Sequence, residues 1–180
     1  MDQFSERCKP SLSISNRARR CLWHFSWCIC AMWTPPSFWR WRLIVLRLFG
    51  ARVARRCDVR GTAYIWDPRN LELGYESIIA EKCFIQNISL VSIGSYSILS
   101  REVSVFTGTH DYNVASHPLL SKKVAIGDKT WLCAQSFVAP GTIIATGAVL
   151  GARSFAYGAL DPWAVYSGNP CKKIKTRQVF

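Results

Sequence analysis

The chain has 180 residues and 49% hydrophobic content, enough for one ordinary domain with a small appendage. Its net charge of +12 sits at the ends: residues 1–60 carry 12 Lys/Arg against 3 Asp/Glu, residues 61–120 carry 3 against 6, and residues 121–180 carry 8 against 2. Such ends attract phosphate-bearing partners, but no nucleic-acid-binding motif accompanies them, and eight cysteines without a CxxC pair argue against a disulfide framework or a zinc site. Those cysteines read as small buried thiols of a reducing cytosol.

Between Arg20 and Arg40 no residue is fully charged. His24, Ser26 and Thr34 interrupt this run, and Pro35-Pro36 breaks it too early for a membrane span. It starts far from the N-terminus and lacks a small-residue cleavage site, so it is not read as a signal peptide. "NRARRCLWHFSWCICAMW" predicts one helix, ended by "TPP", and "SFWRWRLIVLRLFG" a second, with Ser37 as N-cap and Gly50 as terminator. Five of the eight tryptophans fall here, interleaved with Arg17, Arg19, Arg20, Arg40, Arg42 and Arg47. Tryptophan with arginine suits a helix lying in the interface of an anionic bilayer, so peripheral membrane contact through residues 16–49 is an expectation; burial of the same hairpin against the rest of the chain is the alternative.

From residue 53 aliphatic residues recur every six positions: Val53, Val59, Ile65; Leu73, Ile79, Ile85; Ile93, Leu99, Val105; then, after an interruption, Ile126, Leu132, Val138, Ile144 and Leu150, with Ala156 a weaker last beat. The first and fourth positions after each aliphatic are usually small, as in Gly74, Gly94, Gly127, Ser77, Ser97 and Thr130. Helices cannot keep this register. It predicts short strands joined by corners, three to a coil, wound as a parallel β-helix of five coils. The aliphatics fill the interior, the small residues permit tight corners and close stacking, and the N-terminal helices cap the open end. The expected division is a helical cap over residues 1–52 and a coil body over 53–180. The interruption, residues 106–125, is a protruding loop that contains two of the three histidines, His110 and His117.

The repeat "SIGSYSILSREVSVFTGTHDY", the returning rung "VAIGDKTWLCAQSFVAPGTIIATGAVLGARS", the tail "PWAVYSGNPCKKIK" and the entry "LRLFGARV" together resemble the hexapeptide-repeat acyltransferases. The similarity extends over essentially the whole chain and is nearest to the colanic acid biosynthesis acetyltransferase group, relatives of the galactoside and maltose O-acetyltransferases. It implies a left-handed parallel β-helix, a homotrimer with each site between two subunits, and cytoplasmic transfer of acetyl from acetyl-CoA, without a metal, to a hydroxyl of a sugar or polysaccharide acceptor, with a lipid-linked acceptor as one form. His110 is then the general base, a role suited to an imidazole, with His117 as its rival. Asn87, Asp111 and Trp131 match the acceptor side, Asp111 also as a residue that orients His110. Ala134, Ala152, Lys172 and Lys175 match the CoA side. Where relatives read "GAGSVVTKD" this chain reads "GARSFAYGALD", so Tyr157 and Gly158 replace a threonine and a lysine, and Arg153 is the candidate to restore the charge. A non-catalytic scaffold is the alternative that this departure favours. A zinc hydratase on the same fold would need three rung histidines, and only His110 and His117 lie near the coils.

Overall fold

A computed structural model describes residues 13–178. The chain opens with helix α1, Ile14–Cys30, whose N-cap is Ser13, its hydroxyl accepting from the Asn16 amide. A 3₁₀ turn at Pro36–Phe38 leads into α2, Trp39–Leu48. Ser37 lies inside that turn and is not the cap; α2 begins at Phe38 without a side-chain cap, because the proline-led turn already presets its first dihedrals. Gly50, at φ 94°, ends α2 as expected.

Three parallel sheets follow, the faces of a triangular prism. The first face takes the strands Arg52–Val53, Leu71–Leu73, Val91–Ile93, Val124–Ile126, Ile143–Ile144 and Ala159–Leu160 in that spatial order. The second runs from Asp58–Val59 through Ile78–Ile79, Ile98–Leu99, Trp131–Leu132 and Val149–Leu150 to Ala164–Gly168, and the last pairs antiparallel with Cys171–Thr176. The third holds Tyr64–Ile65, Phe84–Gln86, Ser104–Phe106, Phe137–Val138 and Phe155–Ala156. The five expected coils are complete, and a sixth is begun on two faces before the chain turns back. The six-residue aliphatics line the interior; Val59, Ile79, Leu99, Leu132 and Leu150 form one fully buried column. Truncating one of them, Leu132→Ala, costs roughly 2–5 kcal/mol, since a rigid stack cannot collapse around the void.

The small positions separate into two kinds. Glycine directly after the aliphatic is required by stacking: a Cβ on Gly94 would stand 2.5 Å from the Asp128 backbone nitrogen. The left-handed corner residue comes two positions later and is seldom glycine; Arg56, Glu76, Tyr96, Lys129 and Gln135 all adopt positive φ there. At the fourth position Ser77 and Ser97 donate hydroxyls to the carbonyls of Gly94 and Gly127, and Cys57 and Cys83 do the same with thiols toward Gly74 and Ser100. Burial pushes the Cys83 thiol up to about 12, so it stays protonated. Buried structural thiols therefore hold for these two, whereas Cys21 and Cys28 of α1 are exposed; Cys8 lies outside the described residues.

The cap explains much of the unusual composition. Each coil donates its N–H groups to the next one, as Ala54 to Leu73 and Arg60 to Ile79. The carbonyls of the first coil consequently face the N-terminal end with no coil before them. The cap supplies donors: Trp23 Nε1 to Ile65 O (2.7 Å), Trp27 Nε1 to Gly61 O (2.9 Å), Arg42 Nε to Val59 O (2.6 Å) and Arg47 Nη2 to Val53 O (3.0 Å) and Ala54 O (2.8 Å). Trp and Arg side chains are pure donors, matched to an edge that offers only acceptors. Arg42, expected to border an apolar surface, is instead fully buried and also bonds Pro35 O, Pro36 O, Thr34 Oγ1 and Asp58.

Candidate active site

The loop begins where the third-face strand Ser104–Phe106 should turn into the first-face strand Val124–Ile126. Gly108–His110 pairs antiparallel with Leu119–Ser121, His110 opposite Leu119. The base of this hairpin is tied to the prism by Lys122 N to Thr107 O (2.8 Å) and by the Ser89–Ser121 hydroxyl pair (2.8 Å). His110 is thus one strand away from a rigid coil yet exposed to solvent.

Its ring is oriented from inside the hairpin. Nδ1 lies 2.6 Å from the carbonyl oxygen of His117. A carbonyl can only accept, so Nδ1 carries a proton, and in the neutral ring the lone pair is on Nε2. His117 has φ 47°, held by its N–H to Val114 O (2.8 Å), and contributes through its backbone. This replaces the expectation that Asp111 orients His110: the Asp111 carboxylate accepts from the Asn113 amide (2.9 Å), a local turn that shapes the hairpin tip.

Asn87 stands at the corner after Phe84–Gln86. It is fully buried; its amide donates to Asp67 O (2.7 Å) and accepts from Asp67 N (3.0 Å), so both ends are committed to the preceding coil. A short polar side chain satisfies the widened corner there.

Trp131, half-exposed, stands on the second face with Nε1 donating to Ser100 Oγ (3.0 Å). Strand pairing stacks Trp131, Val149, Val165 and Lys175 in one column. With Thr176, Arg177 and Gln178 they line a groove of about 510 Å³. Arg177, which the sequence reading missed, is held by the carbonyls of Lys129 (2.7 Å) and Gly147 (2.9 Å) and lies over the Trp163 ring; its signal was its place one strand-length beyond the antiparallel return. Ala134 and Ala152 occupy the corner bordering this face, exposed, with Ala134 O accepting from Arg153 N (3.0 Å). Arg153 gives its Nε to Gln135 Oε1 (2.7 Å) and is not part of the groove lining. Lys172 lies on the return strand opposite Ser167, while its neighbour Lys173 is paired with Asp161 (2.9 Å). Among the described residues no three His, Cys, Asp or Glu side chains come together as a metal site.

The groove is an apolar strip ending in cations, which fits a thioester donor with an extended arm and phosphates. His110, however, leaves the edge between the third and first faces, opposite the second face that carries Trp131. The two halves of the expected site therefore stand on different sides of one chain.

These features place the chain among the hexapeptide-repeat acyltransferases. No family model matches it. Over 145 residues, 81% of the chain and 80% of the relative, it is 34% identical to "Putative colanic acid biosynthesis acetyltransferase WcaF" of Escherichia coli. The fold is that of a maltose O-acetyltransferase from Clostridium difficile (TM-score 0.81, 22% identity, 93% of this chain and 90% of that one) and of a galactoside acetyltransferase crystallised with coenzyme A (TM-score 0.83, 19% identity, 99% and 92%). The chain belongs to the WcaF family of acetyltransferases.

Proposed function

We propose that the chain moves an acetyl group from acetyl-CoA to a sugar hydroxyl in polysaccharide biosynthesis, with His110 as general base. The observation that carries this reading is the His110 Nδ1–His117 carbonyl contact, which leaves Nε2 as a fixed, solvent-facing acceptor. Acetyl-CoA supplies an activated acyl carbon. His110 Nε2 accepts the hydroxyl proton as the acceptor oxygen bonds to that carbon, and the imidazolium returns the proton to the departing thiolate. Trp131 and Lys175, with Ala134 and Ala152 on the bordering corner, hold the donor, Lys175 and Lys172 toward its phosphates and Arg153 adding charge where Tyr157 and Gly158 depart from relatives.

The same reading includes a homotrimer, because a second copy set beside the first in a closed ring carries its own His110 hairpin to the neighbour's second face. Of the expected division 1–52 and 53–180, residues 13–52 act as cap and 53–178 as the catalytic body, and the rest lies outside the described residues. The exposed apolar residues of the cap are assigned to peripheral contact with the inner face of the cytoplasmic membrane; no described helix is long and apolar enough to cross one. The test is thiol release from acetyl-CoA with a panel of mono- and oligosaccharides. Turnover that depends on one of them and vanishes in His110→Ala is expected. An undiminished variant, or release indifferent to every carbohydrate, overturns the proposal.

A further inference from the structure

At the end of the molecule opposite the acyl-transfer groove, a cleft of about 320 Å³ opens between α2 and the first coil. Trp39, Leu43 and Ile44 give it an apolar lining, and Arg40, Arg47, Arg55 and Arg56 surround them. Only Arg56 has a carboxylate, Glu76 at 2.9 Å; among the described residues Arg40, Arg47 and Arg55 have none. Arg47 spends Nε and Nη2 on first-coil carbonyls. Arg40 lies over the Trp39 ring, and among the described residues the Arg55 side chain has no hydrogen-bond or ion-pair partner. The cleft is far from the tail lysines: at about 4.8 Å per coil, five coils separate them by more than roughly 20 Å. Its charge therefore does not serve the groove.

The apolar side of the cleft continues outward. Ile44 belongs both to the lining and, with Trp41 and Leu48, to an exposed stripe at i, i+3 and i+7 on α2. Helix α1 carries a second exposed stripe, Leu22, Phe25 and Ile29. Guanidinium forks match phosphate oxygens, and an apolar stripe at the rim matches the chain attached to such a phosphate. We infer that this cleft binds the headgroup phosphate of a phosphomonoester lipid, with Trp41, Ile44 and Leu48 entering the acyl layer beside it. The inference rests on the membrane contact proposed above and adds to it a site and a headgroup class.

The test is flotation of the intact assembly with phosphatidylcholine vesicles containing either phosphatidic acid or phosphatidylserine, matched in surface charge. The wild-type chain is expected to partition about fivefold more strongly onto phosphatidic acid. Arg40→Gln/Arg55→Gln should reduce that ratio to one while thiol release in solution is unchanged. Arg17→Gln/Arg19→Gln, which removes the same charge from α1, should weaken both bindings and keep the ratio. Equal wild-type flotation with both lipids overturns the cleft assignment and leaves membrane contact standing. Failure to float with either at low salt overturns both. Association into larger oligomers that Ile44→Glu dissolves, without flotation, puts a second copy in the cleft and also overturns the lipid.

Discussion

His110 and His117 are seven residues apart and do different work. One offers a ring nitrogen; the other offers a carbonyl that any residue would retain. His110→Ala should lower turnover by roughly 10²–10⁴ with the fold intact, and His117→Ala should change it far less, both read by steady-state thiol release. In the donor groove Lys175 faces the column that ends in Trp131, whereas Arg153 is held by Gln135 outside the lining. Lys175→Gln should raise KM for acetyl-CoA about tenfold, the loss of one charge-assisted bond, and Arg153→Ala should raise it less. His24 is a third residue with a measurable consequence. Burial first, then the Arg20 charge, lowers its pKa from 6.5, against a smaller opposing effect of Asp67. Its Nε2 is buried without a partner among the described residues, and its ring stacks on Tyr64 at 5.0 Å. The unfolded chain therefore takes up a proton before the folded one as pH falls below 6.5. The stability present above that pH is lost through the lowered folded value. His24→Phe should flatten this: between about pH 7.5 and about pH 5 its melting temperature should fall less than that of the wild type.

The cap is the element whose sequence is explained by a neighbour's backbone. Without it, the carbonyls of Val53, Ala54, Val59, Gly61 and Ile65 would have no protein partner on their open side. Arg42 contributes most, with five partners for one fully buried side chain. Arg42→Met leaves several buried acceptors unsatisfied, at about 1–3 kcal/mol each. A loss of at least about 3 kcal/mol should lower the melting temperature by roughly 6–12 °C in a chain of this size. Arg52→Ala removes a surface pair with Glu72 and should change it hardly at all. The second-face strands are elements of the opposite kind. Their interior residues follow from the six-residue period, and their exterior residues, Trp131, Val149 and Val165, become a groove only because parallel register stacks them.

At the scale of the molecule, the proposed site needs two chains. Mixing His110→Ala protomers with protomers blocked in the groove by Val149→Trp should restore activity absent from either variant alone. With random closed trimers at equal input, about a quarter of the interfaces would combine an intact base with an intact groove. A mixture that stays inactive after verified subunit exchange would argue for a site within one chain, as would a fully active monomer in dilute solution.

The six-residue period alone determined the coil body, its interior columns and the place of the loop, because a stacked prism repeats one set of steric constraints and tolerates few residues at each position. It also isolated the loop that holds His110 and His117, since a break in so strict a register is visible without a structure. Tertiary structure decided what the period does not encode. Asn87 looked available and is bonded on both sides, because a corner buries what a sequence position leaves open. Asp111 looked like the partner of His110, and a carbonyl seven residues away took that place through hairpin pairing. Ser37 lost the helix cap to a proline-led turn, and Arg42 lost its place on the surface. Arg177 entered the groove because an antiparallel return brings the tail back along the second face. The period says where the aliphatic residues stack and not which polar atoms meet, and only the folded chain brings those donors and acceptors within bonding distance.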